Sequence, residues 1–98
     1  MFVERIKQLR EELKLPQRKL AEALDIDSAT YCKFEKGERK VKREQVLIIA
    51  KLLQTDKKEL LTLWLADQVS ATMENEKELA PKVIKIVQNN MLNITNSK

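Results

Sequence analysis

One glycine, Gly37, and two prolines, Pro16 and Pro81, are the only strong breakers of regular structure in 98 residues. The rest is dominated by Leu, Lys, Glu, Ala and Ile. These side chains, Ile least, lose little freedom in a helix. Runs rich in β-branched and aromatic residues are absent. The chain is therefore expected to be all-α, with the breakers marking where helices stop. Hydrophobic residues make up 43% of it, which is enough for one core, and the length suits one domain with at most a helical extension.

The apolar spacing places the elements. Ile6, Leu9 and Leu13 form a stripe that predicts a first helix over Phe2 to Lys14. Leu15-Pro16 ends it, because the residue before proline disfavours the helical region. Pro16 or Gln17 opens a second helix to about Leu24, with Leu20, Ala21 and Leu24 inward. Asp25 to Asp27 makes a short turn, and the Asp27 carboxylate caps a third helix over Ser28 to Lys36. Gly37 stops that helix, since glycine takes the left-handed backbone freely. After a basic loop, Glu38 to Lys42, a fourth helix runs from about Lys42 to Leu53, with Val46, Ile49, Ala50 and Leu53 inward. Asp56 and Glu59 have the spacing of a capping box and open a fifth, which carries Leu60, Leu61, Leu63, Trp64, Leu65 and Val69. Ser70 to Asn75 reads as a polar break and Glu76 to Leu92 as a last helix, kinked or truly begun at Pro81. Asn93 to Lys98 is expected to be a polar, frayed tail. The division is 1–69 for the main domain and 70–98 for a helical extension.

Charge is distributed unevenly. Residues 1–43 hold twelve basic and eight acidic side chains, and residues 44–98 hold seven of each. The whole excess of +4 lies in the first half, which points to a polyanionic partner on one side of the molecule; a merely solubilising surface is the plain alternative. With one cysteine, Cys32, no internal disulfide forms, and a reducing compartment fits. One Cys and no His exclude the usual zinc sites and His-dependent triads. There is no Gly-rich phosphate loop, and no continuous apolar stretch of membrane or signal-peptide kind. No cofactor, metal, catalytic residue, membrane or small-molecule ligand is implied, and enzymatic activity is not expected.

The informative segment is Gln17 to Lys40. At about 100° per residue, Ser28, Ala29, Cys32, Lys33 and Lys36 fall within an arc of about 140° on the third helix. Tyr31 and Phe34 fall opposite. The aromatics bury, and a small, polar, basic face of a kind that enters a DNA major groove points outward. An ordinary surface helix has the same pattern.

The surroundings add weight. The opening IKQLREELKLPQRKLAEAL, the segment IDSATYCKFEKGERK and the following REQVLIIAKLLQTDKKELL together resemble the phage-repressor (Cro/cI-like, XRE) helix-turn-helix family over about Ile6 to Leu65. The resemblance implies a five-helix repressor-like domain whose third helix reads bases. It implies base contacts from Ser28, Ala29, Cys32 and Lys33, with Lys33 donating to guanine and Ala29 meeting a thymine methyl. It implies phosphate contacts from Gln17, Arg10, Lys36, Lys40, Lys42 and Arg43, and a structural ion pair between Arg10 and Glu35. The chain departs from the family by having short Ser28 and Ala29 where long glutamines are frequent, and Asp25 where the turn often has Gly. Asp25 and Asp27 oppose phosphate near that face.

Beyond this domain, Leu79, Val83, Ile84, Ile86, Val87 and Met91 make a wide apolar face. It either closes the core or joins two copies. An interface of Leu61, Trp64, Leu65, Val83, Ile84, Val87 and Met91 would make a homodimer suited to an inverted-repeat operator in double-stranded DNA. The expected function is a cytoplasmic, nucleoid-associated bacterial or phage transcriptional regulator, a repressor or autoregulator. Its compact outline is similar to that of restriction–modification controller proteins. The alternative is a protein-interaction module, such as an antitoxin or accessory subunit, that offers the C-terminal apolar face to a different protein.

Overall fold

The structure, a computed structural model, describes residues 1–96. Among them are six helices and no strand: α1 (Phe2–Glu12), α2 (Gln17–Leu24), α3 (Ser28–Glu35), α4 (Arg43–Leu52), α5 (Lys57–Thr72) and α6 (Ala80–Asn96). The chain divides into two compact units, Met1–Asp67 and a second beginning at Gln68.

The first unit is built on one core. Phe2 and Ile6 of α1, Leu20, Ala21 and Leu24 of α2, Tyr31 and Phe34 of α3, and Val46, Ile49 and Ala50 of α4 are buried, together with Val41, Leu53 and Leu60 of α5. Leu9 packs partly against it. Leu13 does not; it is exposed at the end of α1. At the other end of α1 Phe2 is buried, and the Phe2 N–H donates to Asp67 Oδ2 at 2.9 Å and Arg5 Nε to Glu59 Oε1 at 3.1 Å, tying the start of α1 to α5. Glu59 is thereby committed to Arg5. The expected reciprocal cap does not form, although Asp56 Oδ1 accepts from the Lys58 N–H at 3.0 Å.

The first four helices end alike. Lys14, Asp25, Gly37 and Gln54 each have positive φ. In each case the following N–H reaches back five residues to a helix carbonyl: Leu15 to Arg10 (3.0 Å), Ile26 to Ala21 (3.0 Å), Glu38 to Lys33 (2.9 Å) and Thr55 to Ala50 (3.0 Å). This is the Schellman closure, which satisfies carbonyls that a helix end leaves open. Three of the four left-handed positions are not glycine, and a side chain there is disfavoured by roughly 1–2 kcal/mol. Asp25 (φ 56°, ψ 46°) is one of them.

Helix α5 continues through Ser70 to Thr72, which contain no breaker, so the break falls later than the expected Ser70 to Asn75, over residues 73–79. Pro81 is the second residue of α6 and marks the helix start, where proline's fixed φ and missing N–H do no harm. The helix continues to Asn96, past the tail that was expected to fray from Asn93; Ser97 and Lys98 lie outside the described residues. Val83 is half-buried and Leu79, Ile84, Ile86, Val87 and Met91 are exposed.

Candidate nucleic-acid interface

Helix α3 is held by its inner face. Tyr31 and Phe34 are buried and meet edge to face, with ring centroids 6.1 Å apart at 77°. Asp27 caps the helix, its Oδ1 accepting from the Thr30 N–H at 2.7 Å. Thr30, through hydroxyl and amide, holds the Asp27 carboxyl below its ordinary range, and Lys33 and Arg39 reinforce this. Both cations are thus within electrostatic reach of the start of α3. On the outer face Ser28, Ala29, Lys33 and Lys36 are exposed, and Cys32 is half-buried at the margin.

A charged knot locks α3 to α1 and α2. Arg10 Nε and Nη2 donate to the two Glu35 oxygens at 2.8 and 3.0 Å. Arg10 Nη1 donates to the Leu15 carbonyl at 2.8 Å, and Gln17 Nε2 to Glu35 Oε1 at 3.1 Å. The two charged side chains are 12% and 4% exposed. Burial alone would raise the Glu35 pKa. The hydrogen bonds from Arg10 and Gln17, with the neighbouring Tyr31 hydroxyl, outweigh it and hold the carboxyl below its usual value. Burial, then Glu35, pushes the Tyr31 phenol far above its ordinary range. Its hydroxyl is enclosed beside the pair without meeting hydrogen-bond geometry.

This geometry revises one expected role. Arg10 was assigned both to phosphate and to the ion pair; its guanidinium is committed to Glu35 and Leu15 and nearly covered, so it serves the frame. Gln17 gives one amide hydrogen to Glu35 and stays half-exposed at the first position of α2.

The loop after α3 carries the remaining cations. Arg39, Lys40, Lys42 and Arg43 are all exposed, while Val41 between them is buried. Lys42 precedes α4, and its N–H donates to Gln45 Oε1 at 2.8 Å. The Trp64 indole Nε1 donates to the Val41 carbonyl at 2.8 Å. Trp64 is half-buried and packs partly against the first unit's core, as does Leu61, whereas Leu65 is exposed. Arg39 was not singled out from the sequence, though it lies inside the basic run between Gly37 and Arg43.

A short helix, a tight left-handed turn and a second helix with an outward polar face define a helix-turn-helix domain. The helix-turn-helix family model matches residues 6–60, more than half of the chain. The protein belongs to that family, of the Cro/cI-like (XRE) kind, whose members are DNA-binding regulators and typically not enzymes. Comparison with curated proteins and with solved structures returns no match. Among the described residues no helix is long and apolar enough to cross a membrane, and no group of acidic, His or Cys side chains is arranged to hold a metal ion.

Proposed function

We propose that the protein is a sequence-specific regulator of transcription, a repressor or autoregulator, that lays α3 in the major groove of a double-stranded operator. The observation that carries this is the division of α3: Tyr31 and Phe34 buried beneath, Ser28, Ala29 and Lys33 exposed above. Lys33, with Ser28, Ala29 and the marginal Cys32, faces base edges. Lys36, Lys40, Lys42 and Arg43 meet phosphate, joined by Arg39 and by the second amide hydrogen of Gln17. Two copies, paired through Val83, Ile84, Val87 and Met91 of α6, present two α3 helices to an inverted repeat. The setting is the bacterial or phage cytoplasm and its nucleoid.

The test separates reading from holding. Lys33→Ala is expected to weaken binding to the selected site by about 1–3 kcal/mol and to relax preference at one base pair per half-site. Arg43→Ala is expected to weaken all sequences alike and to lower the salt slope by about one. Both are measured on the site selected from a random DNA pool and on its single-base variants. An intact base preference in Lys33→Ala removes Lys33 as a reading residue; two small and similar losses return both to ordinary surface charges.

A further inference from the structure

The cations assigned to phosphate sit on a loop, and a loop holds charges in place only as well as it is anchored. Between Gly37 and the start of α4 one side chain, Val41, is buried. Its carbonyl is the acceptor of the Trp64 indole N–H, 23 residues away on α5. Lys40 and Lys42 are its immediate neighbours, and Arg43 follows. A peptide fixed by its side chain on one side and its carbonyl on the other has little freedom to rotate. The two flanking lysines are then carried in fixed directions from it.

We infer that Trp64 is a positioning residue for the phosphate-contacting loop: its indole N–H clamps Val41 so that Lys40, Lys42 and Arg43 are directed to the DNA backbone before DNA arrives. The inference rests on the DNA-binding reading above. It assigns Trp64 no contact with DNA. The charges act on phosphate, and preorganising them lowers the ordering entropy lost on binding. Because the loop meets phosphate and not bases, loss of the clamp falls on affinity and salt dependence, not on base preference.

The full chain with Trp64→Phe keeps an aromatic ring against the core and loses the donor. A second variant replaces Trp64 by its benzothienyl isostere, in which sulfur stands for the N–H and the shape is kept. The full-length proteins are compared on the selected site and on random duplex across a range of salt, with affinity referred to the folded fraction. The expected result for both is a fall in affinity of about fivefold to tenfold on every sequence and a salt slope lower by about one, as for loss of one phosphate contact, with the ranking of bases unchanged. If the isostere binds with wild-type affinity and slope, Trp64 serves packing alone and the inference is overturned, whatever the phenylalanine variant does. A wild-type protein that binds duplex DNA with no salt dependence overturns the underlying reading and the inference with it; the two failures are told apart by the wild-type measurement.

Discussion

Removal of Glu35 tests the charged knot that holds α3 on the body of the domain. Two Arg10 nitrogens lie at 2.8 and 3.0 Å from the carboxylate, so the charge centres are about 4 Å apart. At an effective dielectric constant of about 20 that attraction is about 4 kcal/mol. Desolvation of both groups offsets part of it. In Glu35→Ala, Arg10 keeps the Leu15 carbonyl and is 12% exposed, so water relieves part of the loss. A net destabilisation of about 2–3 kcal/mol follows, which for a domain of this size lowers Tm by roughly 10–20 °C. Thermal and urea unfolding followed by circular dichroism measure it. The pH dependence has a definite sign. Glu35 is held below its ordinary value of 4.5 in the fold. Its contribution is complete above that pH and is lost as the pH falls through the lower folded value, so wild type and variant converge in acid. Arg10→Met combined with Glu35→Leu, which removes both charges, should stay much closer to wild type than either single change. A gap below about 0.5 kcal/mol at neutral pH, the level of an exposed pair, or a gap constant through the acid range, would refute the reasoning.

Two further outcomes are expected. Gln54→Gly and Lys14→Gly, each at a left-handed helix end with φ 56°, should raise the urea midpoint. The gain is about 0.5–1 kcal/mol each, the relief of the side-chain penalty less the added freedom of the unfolded chain; a lowered midpoint counts against that backbone assignment. Ile84→Glu, on the exposed apolar stripe of α6, should turn a sedimenting dimer into a monomer that binds a half-site weakly. Wild type that sediments as a monomer at micromolar concentration ends the homodimer proposal and favours a heterologous partner for the stripe.

The positions of α1 to α4 were legible because their apolar residues recur at three and four residues and because Pro16, Asp27 and Gly37 punctuate them. The buried pairs Leu20–Leu24 and Ile49–Leu53 and the aromatics of α3 follow from periodicity alone. The Arg10–Glu35 contact came from resemblance, since periodicity cannot match one charge with another 25 residues away. What escaped depended on tertiary competition. Glu59 has the spacing of a cap, yet Arg5 across the fold is the stronger partner for its carboxylate. Leu13 fits the stripe of α1, but the chain has already begun to turn at Lys14. For Trp64, nothing local announces that its N–H meets a carbonyl on a distant loop. The end of α6 was placed too early because Asn and Thr are weak helix formers. Weak propensity, however, does not stop a helix without a proline or a left-handed cap.

The two faces of α3 are open to change in different degrees. Among the described residues no hydrogen bond or ion pair within the chain engages the side chains of Ser28, Ala29 or Lys33. Tyr31, Phe34 and Glu35, interleaved with them on the same eight-residue helix, are bound into the core and the charged knot. Exchanges at the three outward positions are therefore nearly silent in stability, within the ±0.5 kcal/mol typical of surface sites, while those at the inward ones are not. If α3 reads bases as proposed, a lineage carrying this domain can change what the helix recognises by single steps, without first acquiring compensating substitutions elsewhere. The turn before the helix needs no adjustment, since its closure from the Ile26 N–H to the Ala21 carbonyl is made by backbone alone.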